Sequence, residues 1–405
     1  MSDSNGSMYS HVGSGEVTVA ADAFRTYFSR DPRNRFELDQ VMGNGVNGIL
    51  WAVNYNPTPE QDQHPRTTTK KILLKVNRDR AEWAQWDMQP EGAREEWGSL
   101  EMERSMLKVF QRARHSVTVI EPENDPLAQT YPDIPPHPFF PDRWLYLEYL
   151  PNGTLERFSR RASRYMQGRK LPNRMLWSFF LCFARMCVSM AYPPPPGPGE
   201  QLDETVPPNT RPRKIVHGDM HHGNVMLGDV FDPSDLEHAL TPMLKMIDFG
   251  CAREYEDEEP RDYRNEERQN IFDIGLLMVE LMSLDTAIQD LADLEEEDTA
   301  FLRVGPKLDR VIAVAPAFMC PGADATNEAD LGLLDRDLIR IVLLCTAMDA
   351  RFRPTSEQLF RVVSAKVAER TYEWYAAKDH RHTFEENDEH IRNIIQVVVL
   401  DADVD

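Results

Sequence analysis

The sequence predicts an α+β fold, and three observations carry that expectation. Val41-Met42-Gly43-Asn44-Gly45-Val46-Asn47-Gly48 is glycine-rich and runs directly into an apolar, strand-like stretch, Ile49 to Val53. A turn that feeds a strand on both sides is a hairpin, whereas a strand-to-helix turn would need a helical pattern after the glycines. Lys70-Lys71-Ile72-Leu73-Leu74-Lys75-Val76 is a short apolar strand with a lysine near its end. Glu95 to Phe110 carries Trp97, Leu100, Met106, Leu107 and Phe110 on one side at helical spacing.

The chemistry concentrates further along. Residues 217–224 read His-Gly-Asp-Met-His-His-Gly-Asn, and residues 247–250 read Ile-Asp-Phe-Gly. Asp219 can accept a proton from an attacking hydroxyl. Asn224 and Asp248 supply the oxygen donors that Mg²⁺ prefers when it accompanies a triphosphate. The two segments in this order point to phosphoryl transfer from ATP. Gly43, Gly45 and Gly48 form G-x-G-x-x-G, which lets a hairpin backbone approach phosphates without Cβ atoms in the way. His217 reads as a packing residue in the loop, because Asp219 is the better-placed proton acceptor, and His222 carries no assignment.

With these motifs in order, the chain resembles a eukaryotic protein kinase over roughly residues 37 to 370. The resemblance implies a two-lobed architecture: a small antiparallel sheet plus one helix in residues 36–150, a mainly helical lobe in 151–378, and ATP between them. It implies that Lys75 holds the α and β phosphates and that Glu103 orients Lys75, with Glu101 as the fallback. It reads Trp144 to Leu155 as the last strand of the first lobe running into the hinge. There Leu147 is the gatekeeper, Glu148 and Leu150 offer backbone groups to the adenine, and Gly153 begins the turn into the second lobe. Met42, Leu50 and Met226 complete the nucleotide-binding set. Phe272 to Leu281 and Arg353-Pro354-Thr355 resemble helical and C-terminal segments of the same family.

The chain also departs from the family. Gly218 replaces the arginine that precedes the catalytic aspartate, which argues against switching by activation-loop phosphorylation. His221 replaces a lysine that contacts the γ-phosphate, and it is the candidate for that contact. The form His-Gly-Asp-x-His resembles aminoglycoside- and choline-kinase-like phosphotransferases. Only 270 − 248 = 22 positions separate Asp248 from Asn270, and Ala-Pro-Glu is absent, so the peptide platform is curtailed or rebuilt. Asn270 stands where the family has an aspartate, and Leu73 where it has a small alanine at the roof of the adenine pocket.

Composition bounds the partners. The 405 residues fit one two-lobed domain with tails or two ordinary domains, and 41% hydrophobic residues suffice for a core. Lys+Arg 45 against Asp+Glu 67 gives 45 − 67 = −22. That balance excludes binding nucleic acid by phosphate neutralisation, disfavours anionic membranes, and favours a basic protein substrate. Acid clusters at Glu254 to Glu259 and Glu295 to Asp298 read as solvated loops. The five cysteines show no zinc spacing and read as core hydrophobes, consistent with cytoplasm or nucleus. No secretory leader and no 18-residue apolar span is expected. Residues 1–35 read as a largely disordered extension and 379–405 as an acidic tail that packs on the second lobe. The proline run Tyr192 to Gly199, opening a loop to Arg213, and the stretch Gly228 to Thr241 read as surface spacers.

The expected function is an ATP- and Mg²⁺-dependent kinase of the serine/threonine type, acting on a protein hydroxyl. A small-molecule phosphotransferase is the second reading. A nucleotide-binding pseudokinase scaffold is the third.

Overall fold

Antiparallel pairing organises the first part of the chain. β1 (Phe36–Gly45) pairs with β2 (Gly48–Tyr55), from Phe36 opposite Tyr55 to Gly45 opposite Gly48 at the hairpin end. β3 (Lys71–Val76) adds to β2, β5 (Trp144–Glu148) to β3, and the two-residue β4 (Val119–Ile120) closes the sheet in the order β1-β2-β3-β5-β4. The computed structural model describes residues 14–45, 48–57, 71–76, 100–134, 144–197, 199–231, 235–255, 264–284, 299–304, 309–314 and 334–401.

The period-two alternation of strand side chains gives the sheet two different faces. Ile49, Trp51 and Val53 of β2, Ile72, Leu74 and Val76 of β3, and Trp144 and Tyr146 of β5 form one apolar cluster. Leu50, Leu73, Lys75 and Leu147 point to the opposite side, into a cavity. The outer cluster is capped by α1 (Ser14–Phe28), whose Phe24 meets Trp51 edge-on at 5.2 Å while Phe28 stacks on Phe36 at 5.2 Å. Residues 14–35 are therefore ordered structure and not the disordered extension that the sequence suggested; residues 1–13 lie outside the described residues. Ser and Gly at the start of the chain masked the Phe24, Tyr27, Phe28 stripe, whose i, i+3, i+4 spacing buries all three.

The rest of the chain is mainly helical. α2 (Leu100–Val109) lies against the cavity side of the sheet; the start expected at Glu95 falls in residues 77–99, outside the described set. α3 (Leu155–Met166) starts at Thr154, whose hydroxyl accepts the Arg157 N–H at 3.3 Å. α4 (Asn173–Ala191) is apolar on almost every side and runs through the main core. By length and composition alone it could cross a membrane, contrary to the sequence expectation, but 83% of that window is buried inside the protein. β6 (Ile215–Val216) pairs with β9 (Arg253–Glu254), and β7 (Val225–Leu227) with β8 (Leu244–Met246). α5 (Arg264–Ser283), a β10–β11 hairpin (Thr299–Val304, Asp309–Val314), α6 (Arg336–Cys345) and α7 (Ser356–Glu369) follow.

The tail forms α8 (Tyr372–Ala376), α9 (His380–Glu385) and α10 (Asp388–Ile395), and Ile391, Ile394, Ile395 and Val398 enter the main core. Buried polar groups set its position. Glu386 accepts the backbone and side-chain N–H of Asn173 at 2.8 and 2.7 Å. Asp335 accepts Arg370 Nε at 2.8 Å, the Tyr375 hydroxyl at 2.8 Å and the Asp337 N–H at 2.9 Å. The 228–241 stretch and the segment after the proline run are not plain spacers. Leu202 N donates to Arg112 O at 2.7 Å, and buried Glu204 accepts from the backbone and ring of His115.

Two stability predictions follow from this packing. Phe24→Ala should destabilise the chain by ~3–5 kcal/mol, read as a lower urea midpoint at unchanged m. Burial pushes the Asp335 carboxyl up, but the Asp337 N–H, Tyr375 and Arg370 outweigh it and hold it below its ordinary 3.8. A depressed carboxylate stabilises the fold above that ordinary value, and the contribution disappears as pH falls through the folded value. Asp335→Asn should therefore cost ~3 kcal/mol at pH 7. It should also reduce the acid-side loss of stability, measured as urea midpoints from pH 7 to pH 2.

Candidate active site

The inner face of the sheet and the start of the helical part enclose a cavity of about 550 Å³. Met42, Gly43, Gly48, Leu50, Lys75, Glu103, Leu147, Glu148, Leu150, Met226 and Asp248, all singled out from the sequence, line it. Gly45 is at the hairpin end, opposite Gly48. Asp219, His221 and Asn224 are on the β6–β7 loop, outside the lining.

Three segments distant in sequence meet at Lys75. Strand pairing places Lys75 between Leu50 of β2 and Leu145 of β5 and turns its ammonium to the cavity side. Its Nζ lies 2.7 Å from Glu103 Oε2 and 3.0 Å from Asp248 Oδ1. Glu103, and not Glu101, is the partner: it is buried on the inner side of α2, whereas Glu101 is exposed. Burial works against the charged lysine, but the two carboxylates outweigh it and raise its pKa above the ordinary value. Burial raises Glu103 despite the lysine, and the same lysine keeps Asp248 low against its own burial. Glu103 Oε1 is buried with no hydrogen-bond partner among the described residues. Phe249 packs on Phe110 at 4.9 Å, which ties the Asp248 segment to the end of α2. Asp248 itself holds a left-handed backbone, φ 60°, a strained conformation for a non-glycine residue.

The β7–β8 hairpin brings the second acidic segment alongside. Val225 pairs with Met246, and Ile247 N donates to Asn224 O at 3.0 Å, so Asn224 adjoins the end of β8, two residues before Asp248. The Asn224 amide donates to Asp219 O at 2.9 Å and to Asp219 Oδ2 at 3.0 Å. Both amide hydrogens are thus directed at Asp219, and the amide oxygen remains as a donor toward a cation. With the Asp248 carboxylate this is an oxygen donor set, which fits Mg²⁺. His221 accepts the Gly223 N–H on Nδ1 at 3.1 Å, and its Nε2 is 3.8 Å from Asp219 Oδ2. His217 is fully buried, bonded through Nε2 to Ile247 O at 3.1 Å and packed on Phe249, so it holds the loop. His222 is bound to Glu280 at 2.9 Å.

Gly218 has a physical reason to be glycine. Its φ is +79°, and a Cβ there would sit 2.5 Å from the Cys251 carbonyl oxygen. Any side chain there, arginine included, would require a strained backbone and a shift of the Cys251 carbonyl. Asn270 also does more than replace an aspartate. It accepts the His217 N–H at 3.1 Å and donates to Ile215 O at 2.8 Å, and an ionised carboxylate could not make the second bond.

At the hinge, Glu148 is bonded through both its backbone N–H and its carboxylate. The Glu148 N–H donates to Thr118 O at 3.0 Å, so it is engaged within the protein. The Glu148 carboxylate is bound by Lys245 Nζ at 2.8 and 2.9 Å and by the Thr118 N–H at 2.8 Å, which fastens the end of β5 to β8. Leu150 lines the cavity just beyond. Sequence reading missed Arg157 and Arg160, which bring two cations to the rim from α3. Their i, i+3 spacing was visible, but nothing in the sequence showed which way α3 faces.

No protein-family model matches the chain. It is 28% identical over 185 residues to the LRR receptor kinase SERK2 of Oryza sativa subsp. japonica, covering 40% of this chain and 27% of that protein. It is 27% identical over 187 residues to a "Probable LRR receptor-like serine/threonine-protein kinase" of Arabidopsis thaliana, covering 42% and 29%. The chain is distantly similar to protein kinases. It spans less than a third of the length of these curated relatives.

Gly218→Ala should destabilise the chain by ~1–3 kcal/mol, read as a lower urea midpoint at unchanged m. Gly168 shares the positive φ, +84°, but has open space around a Cβ, so Gly168→Ala should cost less. The difference between the two variants measures the contact with Cys251.

Proposed function

We propose that this protein is an ATP- and Mg²⁺-dependent protein kinase with the two-lobed kinase-like arrangement, phosphorylating serine or threonine hydroxyls. The observation that carries the reading is the Lys75 ammonium held between Glu103 and Asp248 on the wall of the cavity. An ammonium so placed is fixed and charged before any phosphate arrives, so little reorganisation is needed on binding. Leu50, Leu73, Leu147 and Met226 offer an apolar slot suited to a purine, with the Gly43 to Gly48 hairpin over the phosphates. Leu73 narrows that slot from above.

Asn224 and Asp248 would hold Mg²⁺, which when bound neutralises phosphate charge. Asp219, kept in place by the Asn224 amide, positions the acceptor hydroxyl and takes its proton. Its side chain is 45% exposed, as a group that must meet a substrate in solution requires. Positioning and charge neutralisation carry most of the rate in such transfers. The net charge of −22 favours a basic protein substrate.

One observation favours a second reading. Gly218 stands in place of the arginine that would gather a phosphorylated loop, and the His-Gly-Asp-x-His loop resembles small-molecule phosphotransferases. Purified chain with labelled MgATP should label itself or a basic protein, and Asp219→Asn should reduce that by at least about a hundredfold while MgATP still raises the melting temperature. Lys75→Met should lose most of that thermal shift. Turnover of aminoalcohols without protein labelling would establish the second reading instead. Absence of any nucleotide-induced shift in the unaltered chain would refute both.

A further inference from the structure

Outside the cavity, the described residues contain a second convergence of chemically active side chains. His115, Cys182 and His238 come from three separate parts of the chain, and their candidate ligand atoms all lie within 4.8 Å of one another. His115 is on the connection between α2 and β4, held by its backbone to β8, where Met246 N donates to His115 O at 2.9 Å. Cys182 is in the middle of α4, and His238 is in the stretch that lengthens the β7–β8 hairpin. His115 and Cys182 are 0% exposed and His238 is 2% exposed.

The orientation of the rings is the second, independent observation. His115 Nδ1 is bound to Glu204 Oε2 at 2.8 Å, and His238 Nδ1 to Asp235 Oδ2 at 3.0 Å. Each imidazole therefore has one nitrogen committed to a carboxylate and the other turned inward. His238 Nε2 is 3.3 Å from Cys182 Sγ. His115 Nε2 is buried, makes no hydrogen bond of ordinary geometry among the described residues, and its imidazole interacts with the Cys182 thiol. A carboxylate on Nδ1 with Nε2 left over is the arrangement in which imidazoles ligate zinc, since the outer bond sets both tautomer and ring direction.

We infer that His115 Nε2, Cys182 Sγ and His238 Nε2 bind one Zn²⁺ ion, with the fourth tetrahedral position left to a water, at a site separate from the nucleotide cavity. A zinc ion at ~2.3 Å from sulfur and ~2.0–2.1 Å from nitrogen sets tetrahedral ligand atoms roughly 3.3–3.6 Å apart. The Cys182–His238 separation of 3.3 Å is close to that spacing, and all three ligand atoms lie within 4.8 Å of one another. One thiolate and two imidazoles suit a borderline-soft cation and not the oxygen-seeking Mg²⁺ of the cavity.

Such an ion would fasten both insertions to the core. Glu204 belongs to the segment after the proline run, and Asp235 and His238 to the 228–241 stretch. Arg114 bridges the two through Asp203 and Asp235, and Arg185 of α4 binds Glu237 at 2.6 Å and Glu204 O at 2.8 Å. Met246 of β8, which holds His115, lies two residues before Asp248. The ion would thereby brace the strand that presents the acidic residue of the cavity.

The test uses untagged full-length chain purified without chelator in magnesium-free buffer. Elemental analysis should find about one zinc per chain. Exchange with Co²⁺ should give the visible bands of a tetrahedral ion and a thiolate-to-cobalt charge-transfer band. Cys182→Ser should abolish the charge-transfer band and Cys187→Ser should keep it, and chelator should lower the melting temperature of the unaltered chain. The thiolate band separates this site from any cobalt held by oxygen donors in the cavity. Unaltered chain that holds no zinc and gives no thiolate band with Co²⁺ would overturn the proposal and leave a metal-free hydrogen-bonded cluster. Copper(I) in place of zinc would overturn the choice of ion. These outcomes are read on the unaltered chain, so poor folding of a variant does not decide them.

Discussion

A buried ammonium between two carboxylates is the constraint on which the arrangement of this protein depends. Lys75 cannot be left alone inside the protein, because an unpaired charge there costs several kcal/mol. Glu103 must therefore come from α2, and Asp248 from just past the end of β8, to the same point on the inner face of the sheet. Satisfying one side chain thus fixes the sheet, the helix and the β7–β8 hairpin with respect to one another. Removing Lys75 would leave the two carboxylates facing one another without a counter-charge.

The two faces of the sheet divide the work. On the outside, α1 and the sheet make an aromatic cluster that supplies stability, with the Trp144 and Tyr146 polar atoms donating to Asp125. On the inside, the same strands present Leu50, Leu73, Lys75 and Leu147 to the cavity. Apolar burial on one face holds the strands rigid, and that rigidity lets a lysine on the other face be positioned to within a hydrogen bond. In the helical part α4 has the corresponding role. It is surrounded by the main core and carries Cys182, Arg185 and Asn173 to three separate polar anchors.

Polar convergence recurs at two places with different chemistry. Around Asp219, Asn224 and Asp248 the donors are oxygens, partly open to solvent. Around Cys182 they are sulfur and imidazole nitrogen, closed off from it. The chain adds its two insertions at the second place, and both are held by charged contacts: Arg114 to Asp203 and Asp235, Arg185 to Glu237, and His115 to Glu204.

The sequence by itself determined the α+β class, the hairpin at Gly43 to Gly48, the strand that carries Lys75, and the two polar segments. Each is a local pattern: glycine where backbone must approach, period-two apolar runs, and side chains of one chemistry at short spacing. Helix α1 was legible in principle from Phe24, Tyr27 and Phe28, but the Ser- and Gly-rich start concealed it. Tertiary structure alone decided that Glu103 and not Glu101 meets Lys75, since both share one helix and only the face of α2 separates them. It alone showed that a side chain at Gly218 would require a shift of the Cys251 carbonyl, because that carbonyl is thirty-three residues away. It alone brought His115, Cys182 and His238 together. Spacing along a chain reports only neighbours within a turn or a strand, and contacts across more than fifty residues depend on how separate elements pack.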